Sequence, residues 1–254
     1  MVKALADMLY SYIIDYCIAS RNRPDQLTPQ QALRLAKEAR NLFRHPNLEN
    51  GQDDRTGEAG EALLFFLMEA VLQAPQMVAK MELKTNHRDE VKGSDGIHAR
   101  WNAEENMVEF YFGESKFYKS VNAAITSALK SISDFHDNGM YKHEFSIVTK
   151  HFKFADEKMK SDLSALVTGG EPGPRVRINH ACLIGYDWEE YNNMTPKDMR
   201  VAVKELLIRD GKEIVKKLNG SFSNFERKYL CFEIFFLPFP SVSEFRNEFN
   251  DALN

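Results

Sequence analysis

Glu114 and Lys116, in Gly113-Glu114-Ser115-Lys116, close the alternating apolar stretch Val108 to Phe112. Positions i and i+2 of a strand project to the same face, so a carboxylate and an ammonium emerge together at the exposed end of a half-buried strand. Alone, such a pair is usually a solvated ion pair. A second carboxylate beside it changes the chemistry. Two carboxylates with a backbone carbonyl, here that of Ser115, form a hard-oxygen set suited to Mg²⁺, with Mn²⁺ as a substitute. A metal so held acidifies water and offsets charge on a phosphodiester, while Lys116 would hold the attacking water or stabilise the developing negative charge.

Asp95 can supply the second carboxylate. Ser94 to Trp101 and Met107 to Tyr118 flank the polar stretch Ala103-Glu104-Glu105-Asn106, which reads as a four-residue hairpin loop. Closing that loop with Asn102 opposite Met107 places Trp101 opposite Val108, Ala99 opposite Phe110, Ile97 opposite Phe112 and Asp95 opposite Glu114. One face is then apolar up to its far end, where Asp95, Glu114 and Lys116 gather. The other carries Arg100 opposite Glu109 and His98 opposite Tyr111, and reads as a polar surface with a favourable charge pair. A slip of one residue would move Phe110 and Phe112 out of line with Ile97 and Ala99, so hydrophobic pattern and carboxylate pairing specify the same register. A bulge near Gly113 or Gly96 would shift it.

The surrounding elements follow from periodicity. Leu5, Leu9, Ile13 and Tyr16 recur at helical spacing, and a second helix opens at Thr28, with Pro29 in its first turn, and runs towards Phe43. Asn47 to Arg55 reads as a polar loop. Leu63 to Leu72, apolar nearly all round, is a buried helix. Gln76 to Lys84 reads as a strand and Thr85 to Gly93 as a charged connection. Ser120 can cap a helix to about His136, and Phe145 to Val148 reads as a short strand. Helix, three strands, helix, strand is an order that builds a mixed sheet flanked by helices. Then come a Gly/Pro-rich loop from Leu166 to Pro174, a strand from Arg175 to Trp188, an amphipathic helix from Met199 to Leu218, a strand from Tyr229 to Leu237 and a closing helix from Ser241 to Leu253. Lys204, Arg209, Lys212, Lys216 and Lys217 of the amphipathic helix read first as a solvated charge run, second as a DNA contact.

Composition bounds the function class. With 254 residues, 43% apolar and 28% charged, the chain has an ordinary globular composition. Its net charge of -4 advertises no nucleic-acid footprint, so a DNA groove must be locally basic or completed by a partner. Cys17, Cys182 and Cys231 are far apart and form no CxxC pair, which excludes a disulfide frame and a zinc site and predicts three buried small hydrophobes in a reducing compartment. Asp7 and Asp15 interrupt Leu5 to Ile18, so the start reads as neither signal peptide nor membrane span, and a cytoplasmic protein without a membrane partner is expected. The seven histidines show no HxH or HExxH spacing, and His98 and His136 are expected at the surface. No P-loop, dinucleotide fingerprint, nucleophilic Ser or Cys motif or internal repeat is present.

An Asp opening the second strand and Glu-x-Lys ending the third resemble the PD-(D/E)XK core of restriction endonucleases and repair nucleases, over about Gly57 to Val148. The resemblance implies an α/β fold of restriction-endonuclease type, with a mixed central sheet flanked by helices, N-terminal helices and C-terminal strand and helix additions. It implies that Asp95 and Glu114 bind magnesium, that Lys116 assists the attacking water, and that an acidic residue of the preceding helix completes the site. Glu61 suits that last role because it shares a helical face with Leu64 and Met68. Glu58 is the alternative, although a carboxylate near a helix N-terminus is favourable without any metal. Asp95 follows Ser where the family commonly has Pro. Residues 1–55 would be a helical segment packed on a nuclease domain spanning 56–254, the whole forming one compact domain.

A narrower resemblance covers most of the chain. Arg55-Thr56-Gly57-Glu58-Ala59-Gly60-Glu61, Gly93-Ser94-Asp95-Gly96, Gly113-Glu114-Ser115-Lys116-Phe117-Tyr118 and Phe236-Leu237-Pro238-Phe239-Pro240 resemble the HamA nuclease family of the Hachiman antiphage system. AbpA-like proteins are similar. That family implies a Mg²⁺-dependent deoxyribonuclease acting on DNA with a HamB-like superfamily 2 helicase. Two other classes stay open on the residues: a non-catalytic DNA-binding or regulatory subunit of a helicase complex, and an RNase with the same metal site.

Overall fold

The computed structural model describes residues 1–19, 22–43, 57–83, 93–150, 167–168, 171–172, 175–194 and 199–254. In chain order its elements are α1 (Val2–Ser11), α2 (Ile13–Cys17), α3 (Pro29–Leu42), α4 (Glu58–Ala70), β1 (Gly96–Asn102), β2 (Met107–Tyr118), α5 (Val121–Asp137) and α6 (Met140–Lys150). There follow β3 (Val167–Thr168), β4 (Glu171–Pro172), β5 (Val176–Asp187), α7 (Met199–Ser223), β6 (Cys231–Phe239) and α8 (Val242–Leu253). The expected loop from Asn47 to Arg55 and nearly all of the connection from Thr85 lie outside the described residues.

The architecture is mixed α/β, with a four-stranded sheet of order β1-β2-β5-β6 flanked by helices. β1 and β2 are antiparallel, and β5 and β6 add parallel strands. Ile97 faces Phe112, Ala99 faces Phe110 and Trp101 faces Val108, the register that the hydrophobic alternation requires. α5 and α6 cover the Phe110 and Phe112 face, where the Phe145 ring meets both phenylalanines edge-on at 5.0 and 5.6 Å. α7 continues this layer over Ile184 and the β6 side chains.

α4 lies on the opposite face, with α1, α2, α3 and α8 packed around it in one apolar cluster. Leu64 and Met68 reach Gly113 and Gly96, and a Cβ at Gly60 would sit 2.7 Å from the Phe117 ring, so glycine there lets α4 approach β2. This layer corrects the expected polar surface: Glu109, Tyr111 and His98 are all buried beneath it. His98 satisfies its Nδ1 against the Ala74 carbonyl at 2.7 Å. His136 is half-buried, paired with the buried His180 at 2.9 Å.

Other expectations fail for stated reasons. Within Gln76 to Lys84 the described residues, up to Leu83, form a single bridge, Gln76 to His98, and then a 3₁₀ turn from Lys80 to Leu83. Phe145 to Val148 belongs to helix α6, where Met140, Glu144, Phe145 and Val148 fall at helical spacing. Among the described residues two strands, not three, separate α4 from α5. Within Leu166 to Pro174 the described residues form the short β3–β4 pair. Cys17 and Cys182 are buried, but Cys231 is exposed because it opens the edge strand β6. Among the described residues no helix is long and apolar enough to cross a membrane.

Candidate active site

β1 ends its ladder at Gly96 opposite Gly113, and β2 runs on through Tyr118. Asp95 lies one residue before β1, its N–H donating to the Gly113 carbonyl at 2.8 Å. Its carboxylate turns onto the overhang: Oδ2 accepts from the Ser115 N–H at 2.6 Å and the Ser115 hydroxyl at 2.8 Å. Ser115 thus orients Asp95. A strand residue directs its N–H and C=O to the same neighbour, so the Ser115 carbonyl also faces the edge that β1 leaves open.

Glu114 and Lys116 project together on the α5 face, Nζ to Oε1 at 2.5 Å. Their side chains are only 12% and 23% exposed, so the strand end is covered rather than open as expected. That matters for charge. Burial, followed by the Asp95 charge, pushes the Glu114 carboxyl up to about 7, against the pull of Lys116 and a hydrogen bond from Ser131 of α5. Burial also raises the Asp95 carboxyl despite its Ser115 bonds. For Lys116 burial acts downward, but the Glu114 and Asp95 charges outweigh it and its pKa is raised. The ammonium stays protonated at neutral pH, which suits charge stabilisation and not proton abstraction.

Glu61 and Glu58 sit on the first turn of α4. Glu61 Oε2 accepts from the Tyr16 hydroxyl at 3.2 Å, and Glu58 is buried. Burial, then Glu61, Cys17, Glu58 and Asp95, raises the Tyr16 pKa, so these carboxylates border the same space. Among the described residues, however, no three His, Cys, Asp or Glu side chains converge as a metal-holding group. Asp95 is turned to Ser115, Glu114 to Lys116 and Glu61 to Tyr16. The site brings Asp95, Glu114, Ser115 and Lys116 together and leaves Glu61 beside them.

Asp95 and Glu114 are the residues that could hold a divalent cation here. Burial and the Asp95 charge raise the Glu114 carboxyl in a covered site, and Mg²⁺ binds through one or two carboxylates while keeping waters. Glu61, bonded to Tyr16, lies beside this pair.

Several supporting residues escaped the sequence. Lys80 and Glu144 form a buried ion pair of 2.8 Å behind Asp95. Lys80 Nζ donates to the Ser94 carbonyl at 2.5 Å, and the Ser94 N–H donates to Glu144 Oε1 at 3.0 Å. Gly93 enters this clamp at φ +105°, where a Cβ would lie 1.9 Å from Glu144 Oε1. The clamp fixes the turn that presents Asp95. The one sequence signal was a lone lysine inside the apolar run Met77-Val78-Ala79-Lys80-Met81.

No curated protein and no solved structure matches the chain significantly. A family model described as HamA matches residues 1–253, and over essentially its whole length the chain therefore belongs to the HamA family.

Proposed function

We propose that this chain is a metal-dependent DNA nuclease and the effector of an antiphage defence system, working with a helicase partner. Membership of the HamA family supports the defence role. The observation that carries the chemistry is the covered trio: Glu114 raised to about 7 beside Asp95, with Lys116 at 2.5 Å. Perturbed carboxyl groups of this kind cluster at functional sites, which supports the reading. The mixed sheet, with α4 on one face and α5 on the other, supports a PD-(D/E)XK-type core.

In this reading Asp95, Glu114 and the Ser115 carbonyl hold Mg²⁺, with Mn²⁺ able to replace it and Glu61 acting nearby. The ion, when bound, supplies an acidified water and charge offset on the phosphoryl oxygens. Ser115 holds Asp95 in place through its N–H and hydroxyl. Lys116 keeps its proton and stabilises negative charge growing on the phosphoryl group. Purified protein should degrade plasmid DNA in Mg²⁺, alone or with the helicase and ATP, and Lys116→Ala should stop it while circular dichroism stays unchanged. DNA binding without cutting under any metal would make the chain a non-catalytic subunit instead, and cutting of RNA alone would make it an RNase.

A further inference from the structure

β2 outruns β1 at the candidate active site. β1 pairs only as far as Gly113, so residues 114–118 present one open edge. Beside this overhang lies a cleft of about 520 Å³ between the first turns of α4, α5 and α8. Lys116, Lys119 and Arg246 line it, and among the described residues no carboxylate does. Three cations in one cleft are conspicuous in a chain of net charge -4. Arg246 is held in place by its Nη2 bond to the Phe117 carbonyl at 2.8 Å, on the edge that β1 vacates. The N-cap residues of α4 and α5, Gly57 and Ser120, make no side-chain cap, so neither helix start carries a competing acceptor from its own cap residue.

We propose that this cleft is a phosphate subsite, in which Lys119 and Arg246 hold a strand phosphate adjacent to the one acted on at Asp95, Glu114 and Lys116. The inference rests on the nuclease reading of that trio and adds the rule by which the strand is positioned. Lys119 and Arg246 touch no reacting atom. They set where along the strand the reacting phosphate falls. A cleft of this size admits one phosphate with its sugar.

Binding without metal separates this proposal from catalysis. The full chain in EDTA is titrated by fluorescence anisotropy with short single-stranded DNA of one sequence, carrying a 5′ phosphate, a 3′ phosphate or neither. Two variants are compared: Lys119→Ala, at an exposed position, and Ala123→Asp, which puts a negative charge in the cleft at an exposed first-turn position of α5 where an acidic residue favours the helix. Lys119→Ala should weaken binding severalfold and lower the salt slope by about 0.7 for the one lost contact, and Ala123→Asp should weaken it further. Loss confined to a phosphorylated end identifies a terminal phosphate as the ligand, and equal loss on all three strands identifies an internal phosphodiester. In cleavage assays both variants should raise KM with kcat little changed. Wild-type affinity for all three strands in both variants would overturn the subsite. Weakened binding with no cutting by the wild type in any metal would leave the subsite standing and overturn the nuclease reading.

Discussion

Glu109 and Glu114 are both largely buried carboxylates of strand β2, and they are treated in opposite ways. Glu109, 1% exposed, is saturated with donors: Arg100 Nε at 2.6 Å, Tyr111 OH at 2.9 Å, Asn102 Nδ2 at 3.3 Å, and an ion pair with Arg177. Glu114 has Lys116 and Ser131, and faces a second carboxylate. A buried acid surrounded by donors ties elements together, here the β1–β2 hairpin and β5. A buried acid facing a second carboxylate keeps a raised pKa, the kind of perturbation expected of a functional site. The difference between structure and site on one strand is thus a difference in donor supply.

The sharpest way to break this contrast is to neutralise each acid in turn. Glu114→Gln should lower cutting at least about 10²-fold while the protein stays folded. Glu109→Gln should leave the folded protein's cutting rate intact and lower urea-unfolding stability by about 2 kcal/mol. The reverse pattern would assign the two acids wrongly.

A second difference lies in pH. The folded-state pKa of Glu114 is raised from 4.5 to about 7, so its contribution to stability is present below pH 4.5 and is lost as pH rises through about 7. Relative to wild type, Glu114→Gln should therefore gain stability across that window, by about 3 kcal/mol. Chemical denaturation at both ends of the window reads this directly, and a flat difference would mean that Lys116 compensates Glu114 fully. The smallest effect is expected at the saturated end: Tyr111→Phe removes one of several donors to Glu109 and should cost about 1 kcal/mol in thermal unfolding, with cutting unchanged.

The hairpin was legible because its alternation is local and its loop short. Ile97, Ala99, Phe110 and Phe112 specify their partners without reference to the rest of the chain, and Asp95 follows at the end of the same ladder. What hid was whatever depends on a second layer. His98 and Tyr111 look like a polar surface until α4 is laid over them. Phe145 and Val148 suit a strand as well as a helix, since a short apolar run carries no period of its own. Lys80 and Glu144 are 64 positions apart and meet only in the folded chain. Glu61 did fall on the helix turn beside the site, but its bond to Tyr16 depends on α2, which no spacing argument on α4 reveals.

The buried Lys80–Glu144 clamp bears on how the proposed nuclease could be switched off. Ser94 is gripped from inside the protein through both its N–H and its carbonyl, so Asp95 shifts only if that interior opens. Opening a buried ion pair requires something close to unfolding, not the swing of a surface loop. A partner that keeps this chain silent would therefore act at the doorway, covering and uncovering the overhang of β2, and leave the carboxylates armed throughout.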